Sequence, residues 1–538
     1  MKINKAKLEF TLKRIKNFLA IFTRNKKGMF GVAILIFFGL IAMFAPLIAP
    51  YSPTKLETLA GPLGAPLWLR NLGGNLSENM QPISGSTFST PDSINNWTFI
   101  TNQTSQSIYK RYVSSIGNPL GSGPGSLAIT FKREETGKRY GTVNLTMAQQ
   151  FYYPYDGPPE LFAGNIAFRI EGSGEKKESL IALDVPVGVS VYIQRVGGEK
   201  WKLWPPPTLS ILYTSPKPVF TADGKFDRIN PIWIISKDSP ESNMTQIHTI
   251  YNDFVKMFPE KDPIGTIFNS TLIPGQYVLS VEIVFEDLKY PDKIVETIIY
   301  IDDVDLKLYG TAFGLLGTDH YGRDIFSQLI YGSRISLYVG LLSSIIAVVL
   351  GLILGLASGY LGRAVDEVVM RFTDMLLVLP TLPLLIVMVA VLGANLNNLI
   401  LLLGFLGWMG FARTVRSQVL SLKERPFVEA AIAIGAGKTH IITKHILPNV
   451  MSLVYVSLAT AVPGNIVAEA ALSWLGFYDP NVMSWGRMLH DVQNTAGAIY
   501  NWWWVIPPGL CIAFLAISFI MIGYALDEAL NPRLRMRR

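Results

Sequence analysis

The chain has 538 residues, of which 49% are apolar and only 16% charged, with 46 Gly, 33 Pro and one Cys. A soluble protein of this length carries about a quarter charged residues, and the lone Cys511 excludes both an intrachain disulfide framework and a CxxC metal or redox site. The net charge of +7 is uneven: residues 51–310 hold 23 Lys and Arg against 27 Asp and Glu, the remainder 24 against 13, and the basic residues flank apolar runs, which argues against nucleic acid as a partner.

Residues 1–27 form a basic N-terminus with nine Lys and Arg, which reads as topological and lipid-facing. Gly28 to Pro50 is uncharged and long enough for one span of a bilayer, which needs about 20 apolar residues. It ends without a clear small-x-small cleavage site, so a retained anchor is expected rather than a signal peptide. Residues 51–310 are expected to form a mainly β domain. Strand patterns fall at Thr142–Thr146, Val185–Val196, Leu209–Tyr213, Gln276–Phe285 and Ile294–Ile301. In the fourth of these, Leu279, Val281, Ile283 and Phe285 share one face, opposite Val278, Ser280, Glu282 and Val284.

Residues 311–334 read as an interfacial amphipathic segment, with Ile325, Leu329 and Ile330 on one face. Four uncharged runs follow, at Ile335–Gly362, Met375–Ala412, Ile446–Ala468 and Val505–Leu526. The second is 38 residues long and is broken by Gly393-Ala394-Asn395-Leu396-Asn397-Asn398, so it reads as a hairpin of two spans. Six transmembrane helices are expected, the first at 28–50 and the others within 335–527, with an inner loop at 413–446 and a basic tail at 528–538. On this topology 21 Lys and Arg lie on the side of the N-terminus and three, Arg323, Arg334 and Arg487, on the other. That asymmetry predicts a multi-pass protein of the cell membrane with both termini cytoplasmic and residues 51–310 extracellular.

Asn-x-Ser/Thr sequons occur at Asn75, Asn96, Asn102, Asn144, Asn243 and Asn269, all within residues 51–310. Six sequons among the 13 Asn of that stretch exceed chance placement and predict a glycosylated outer surface, although a Ser/Thr-rich domain also generates sequons at random.

The inner loop contains Glu429-Ala430-Ala431-Ile432-Ala433-Ile434-Gly435, then His445-Ile446-Leu447-Pro448. This reads as a short helix of small residues, a glycine turn and a second turn entering the membrane at Pro448. Such an element suits close seating in a partner's groove; an ordinary basic inner loop is the other reading of the same chemistry. Glu469 is the one acid well inside an apolar span, where an unpaired charge costs about 2.5 kcal/mol or more. It fits an outer gate or pathway, or snorkelling to the interface. Pro380 and Pro383 fit a hinge or cavity wall in the third span, or an ordinary helix start.

The inner loop resembles the Glu-Ala-Ala loop of ABC importer permeases, with Glu429, Ala430, Ala431, Gly435, Leu447 and Pro448 at the family spacing and His445 in place of the usual Ile. Gly317-Thr318-Asp319, Gly322-Arg323-Asp324, Glu469-Ala470-Ala471-Leu472-Ser473-Trp474-Leu475-Gly476 and Asp527-Glu528-Ala529-Leu530-Asn531-Pro532 are similar to the dipeptide, oligopeptide and nickel branch, in its second permease subunit. The resemblance covers the first span and residues 311–538 and implies a type I importer fold there; it does not cover the β insert between helices 1 and 2, which is far longer than the usual connection. It also implies a heterodimer with a second homologous permease, two ABC ATPase subunits that bind ATP and Mg, and an extracellular solute-binding protein. This chain contains no GxxxxGK[ST] sequence, so it is expected to be non-catalytic and to bind no cofactor itself. Peptides are the expected solute, with oligosaccharides or nickel chelates as alternatives within the family. A membrane-anchored receptor or adhesion glycoprotein is the reading from another class, and it leaves five helices and the Glu-Ala-Ala loop unexplained.

Overall fold

The computed structural model describes residues 20 and 22–530 apart from 56–57, 84–87, 89, 103–106, 115–124, 134–139, 173, 178–179, 184, 205–211, 214–233, 236–266, 270, 272, 289–293 and 496–497. Asn243, most of the basic N-terminus and the tail 531–538 lie outside the described residues. The chain divides into two compact units, Met1–Glu57 with Arg323–Arg538, and Thr58–Gly322.

The unit Thr58–Gly322 is built of strands. They are β1 (Met80–Ile83), β2 (Thr98–Thr101), β3 (Ile108–Val113), β4 (Ser126–Arg133), β5 (Gly141–Tyr153), β6 (Leu161–Gly172) and β7 (Gly174–Lys177). They continue as β8 (Leu180–Leu183), β9 (Val187–Arg195), β10 (Lys200–Trp204), β11 (Leu212–Tyr213), β12 (Ile234–Ile235), β13 (Gly275–Asp287) and β14 (Val295–Tyr309). One sheet runs β12-β6-β14-β4-β3 with β1 also on β14; the other runs β10-β9-β13-β5-β2 with β11 also on β9; β7 pairs with β8.

Alternation along β13 explains how the sheets meet. Tyr277, Leu279, Val281, Ile283 and Phe285 are buried, while Val278, Glu282 and Val284 are half-buried on the opposite face. Phe285 stacks on Phe131 of the facing sheet with ring centroids 5.4 Å apart, inside one apolar core shared by both sheets. Arg133 and Asp287 pair within that core at 2.6 Å, both side chains fully buried, and the second Asp287 oxygen accepts the Tyr140 N–H at 3.0 Å. Strands stand at the expected positions in β5, β9, β13 and β14; of Leu209–Tyr213 the described strand is Leu212–Tyr213.

The other unit is helical: α1 (Lys26–Ile48), α2 (Ile325–Leu361), α3 (Arg363–Val378), α4 (Thr381–Leu392), α5 (Leu396–Lys423) and α6 (Pro426–Ala433). After a helical turn at Lys438–Ile441 come α7 (Leu447–Trp474), α8 (Trp485–Asn494) and α9 (Trp502–Leu530). Among the described residues five helices are long and apolar enough to cross a bilayer: α1, α2, α5, α9 and the stretch Lys438–Trp474 that contains α7. The expected span beginning at Met375 is not straight, because α3 and α4 meet at 92°. Leu379 precedes a proline and is extended, and Pro380 has no N–H with which to continue α3. The six-span count therefore holds only when this bent pair is taken as one span.

Helix α2 starts at Ile325 rather than Ile335, so residues 325–334 are continuous with it as its first turns. Asp324 sets that start by accepting the Ser327 N–H at 2.8 Å. Further along, Gly351, Gly355 and Gly359 form a small-residue stripe against α5. A Cβ on Gly355 would lie 2.7 Å from the Ala412 carbonyl oxygen, which belongs to backbone and cannot swing away. Gly355→Val is expected to destabilise the helical unit by about 1–3 kcal/mol. The check is the thermal unfolding midpoint in detergent, with Gly410→Ala unchanged because its Cβ meets nothing within 4 Å.

Candidate functional site

Residues 424–446 join α5 to α7 through a compact turn. Pro426 opens α6 at a position where its missing N–H is no loss. The helix then presents two faces. Val428 is fully buried and Ala431 nearly so, in one apolar cluster with Tyr360 of α2, Val415, Val419 and Leu422 of α5, and Ile446 and Val450. Glu429, Ala430, Ile432 and Ile434 face solvent, and Ile434 is 86% exposed. The turn after α6 depends on Gly435, whose φ is +82°. Its N–H donates to the Ile432 carbonyl at 2.9 Å, and the Ala436 N–H donates to the Ala431 carbonyl at 3.0 Å. That pair of bonds is the Schellman end, which satisfies the last carbonyls of a helix and calls for glycine at the left-handed position.

A π turn at Ile442–Ile446 leads into α7, with the Leu447 N–H donating to the Ile442 carbonyl. Pro448 explains the wider turn, since in a regular helix its ring would press on the carbonyl four residues back. Asn449 Nδ2 donates to the His445 carbonyl at 2.6 Å. Of the six residues expected to couple, Glu429, Ala430, Ala431 and Gly435 form α6 and its cap, and Leu447 and Pro448 open α7.

Beside this turn, an ionic clamp fastens three helices. Arg416 of α5 holds Asp366 of α3 through two bonds, Nε to Oδ1 at 2.5 Å and a terminal guanidinium nitrogen to Oδ2 at 2.6 Å. Ser358 of α2 donates to the same carboxylate, and Arg413 pairs with Asp374 further along α3. In the sequence Arg413 and Arg416 stand out only as part of the basic excess on the N-terminal side. A carboxylate 50 residues away gives no local signal.

Comparison with known proteins bears on this geometry. Residues 347–536 match the sequence family described as binding-protein-dependent transport system inner membrane component. Residues 14–62 match the N-terminal TM domain of oligopeptide transport permease C. The oligopeptide transport system permease protein of Haemophilus influenzae is 38% identical over 238 residues, which cover 43% of this chain and 76% of that one. The chain belongs to the binding-protein-dependent ABC transport permeases. The dipeptide transport system permease protein of Bacillus subtilis is likewise 38% identical, over 41% of this permease and 68% of its own length. A chain of the inward-facing MetNI methionine ABC transporter is 19% identical, with a TM-score of 0.30, covering 39% of this permease and 95% of that chain. Permeases of this kind are transport components rather than catalysts.

At the far end of α7 the permease buries Glu469, which is 3% exposed. Ser473 donates to its Oε1 at 2.8 Å, and Oε2 has no hydrogen-bond partner among the described residues. The carboxyl lines a small recess with Asn395, Leu399, Ser473, Asp479 and Ser484. Asp479 also caps α5 by accepting the Leu396 N–H at 3.1 Å. Glu469 therefore sits inside the helix packing. Pro380 and Pro383 are exposed at the start of α4 and do not line this recess. In the β unit, Asn75, Asn96, Asn102, Asn144 and Asn269 are all exposed. Among the described residues no group of His, Cys, Asp and Glu is arranged to hold a metal ion.

Proposed function

We propose that this permease is one of two membrane subunits of an ATP-driven, type I importer that takes up peptides delivered by an external binding protein. The names of the relatives, oligopeptide and dipeptide permeases, support the solute class. The Lys/Arg asymmetry supports six spans with both termini in the cytoplasm, and with the β unit on the outer face, where it helps to orient the binding protein. Two partner ATPases, carrying ATP and Mg, bind the inner face of the permease pair, one of them on α6 of this chain. The observation that carries this reading is the two-faced α6, anchored by Val428 and Ala431 and offering Phe427, Ile432 and Ile434 to a partner.

Mechanically, closure of the ATPase dimer displaces α6. The Val428 and Ala431 seat passes that displacement to α2, α5 and α7. The Arg416–Asp366 clamp makes α3 follow α5 rather than slide past it. The packing around Glu469 at the other end of α7 is then rearranged as the outer side opens and closes. The experiment is uptake of labelled peptide into lipid-reconstituted full assembly, with binding protein outside and ATP supplied to the ATPase side. ATP-dependent accumulation is expected. Accumulation of a labelled oligosaccharide or nickel chelate but not peptide would replace the solute class, and uptake independent of ATP would end the importer reading.

A further inference from the structure

A carboxyl group taken out of water needs an opposite charge, a full set of donors or a bound cation. Ser473 donates to Glu469 Oε1, and Ser484 stands beside the same carboxyl. Oε2 is buried and accepts no hydrogen bond among the described residues. The recess that Glu469 lines also holds Asp479, and no Lys, Arg or His lines it. Arg487 of α8 is near in the chain, but its guanidinium donates to the Pro480 and Val482 carbonyls at 2.8 Å each and lies over the Tyr478 ring. Helix starts do not supply the charge either. That of α5 is capped by Asp479 and Asn395, and that of α8 by Ser484, which accepts the Arg487 N–H at 3.2 Å.

The donors around the recess are all oxygen. Besides the two carboxylates they are the Asn395 side-chain carbonyl and the Ser473 and Ser484 hydroxyls, and each of these oxygens has lone pairs beyond the bonds above. Two acids without nitrogen or sulfur do not make a transition-metal site, whereas hard oxygens of mixed charge suit an alkali cation. The free volume is about 10 Å³, the lower limit for a single water and too little for an organic ammonium ion. Ile335 and Leu399 add apolar wall, which strengthens any ionic attraction inside. Asn395 is exposed and Asp479 half-buried, so a small ion has a way in on that side.

We infer that this recess binds one dehydrated sodium ion, held between Glu469 and Asp479 and completed by Asn395, Ser473 and Ser484. The ion neutralises Glu469 and ties the starts of α5 and α8 to the end of α7. Its binding is independent of which solute the permease carries.

The test is the thermal unfolding midpoint of the full-length permease in detergent, with EDTA present and sodium chloride exchanged for choline chloride at equal ionic strength. A rise of about 3 °C is expected in about 0.1 M sodium, because a ligand that binds only the folded state adds its binding free energy to stability. Glu469→Gln keeps the shape and loses the charge, so its midpoint is expected to be the same in both salts, whatever its own stability. Asp479→Asn keeps an oxygen for the Leu396 N–H and is expected to need about threefold more sodium for the same rise. It serves as the variant if Glu469→Gln does not fold. Equilibrium dialysis against radioactive sodium is expected to find one ion per wild-type chain. Equal wild-type midpoints in the two salts overturn the inference, as does a sodium response that survives Glu469→Gln. A midpoint that rises on acidification but not with sodium gives the carboxyl a proton instead and overturns it as well. An equal rise with potassium overturns the choice of sodium.

Discussion

Arg133→Met is expected to destabilise the β unit by about 3–5 kcal/mol, the cost of leaving a buried carboxylate without its partner. Asp287 is fully buried, and among the described residues the Tyr140 N–H still donates to it once the guanidinium is gone. Asp287→Leu is expected to destabilise the β unit as well, because it removes the carboxylate that pairs with the buried Arg133 guanidinium. The double variant Arg133→Met/Asp287→Leu is expected to recover at least half of the loss, because two apolar side chains of similar volume suit the surrounding Phe131 and Phe285. Hydrogen exchange of β4 and β13, read by mass spectrometry on the four proteins, measures the cycle. Additive losses in the double variant would show that the ion pair and not the apolar core holds these strands together.

Gly435→Val is expected to cut uptake several-fold while leaving the amount of protein in the membrane unchanged. A β-branched residue at φ +82° is a conformational outlier, and the left-handed position costs an ordinary L-residue about 1–2 kcal/mol. The Schellman end would open, and the Ala431 carbonyl would lose the Ala436 N–H. Val428 and Ala431 would then lose the geometry that seats them against α2 and α5. Gly435→Asn is expected to keep most of the uptake, since asparagine tolerates the left-handed region. Equal losses in the two variants would place the defect in side-chain bulk rather than in the backbone turn.

Much of this architecture was legible in the sequence where the signal is local. The alternation in Gln276–Phe285 located β13, and the Glu429–Gly435 spacing located α6 and its cap. Strand β4 was missed because seven of its eight residues are buried, which erases the alternation that marks a half-buried strand. Pro380 reads as a hinge or a helix start, but the sharpness of its elbow is not legible, because hydropathy runs unbroken through Leu379 although the backbone does not. The clamp of Arg416, Asp366 and Ser358 and the capping of α5 by Asp479 join residues far apart in the chain. Only folding brings such groups together, so charge spacing carries no trace of them.

The account turns on force entering through α6 from the cytoplasmic side. The direct measurement is the reactivity of Ile434→Cys in a Cys511→Ser background toward an impermeant maleimide, with and without the ATPase subunits. Ile434 is 86% exposed in the chain by itself, so labelling is expected in inside-out vesicles, none in right-side-out vesicles, and at least a tenfold slower rate once the ATPases are bound. Labelling from the outside, or a rate indifferent to the ATPases, would contradict it.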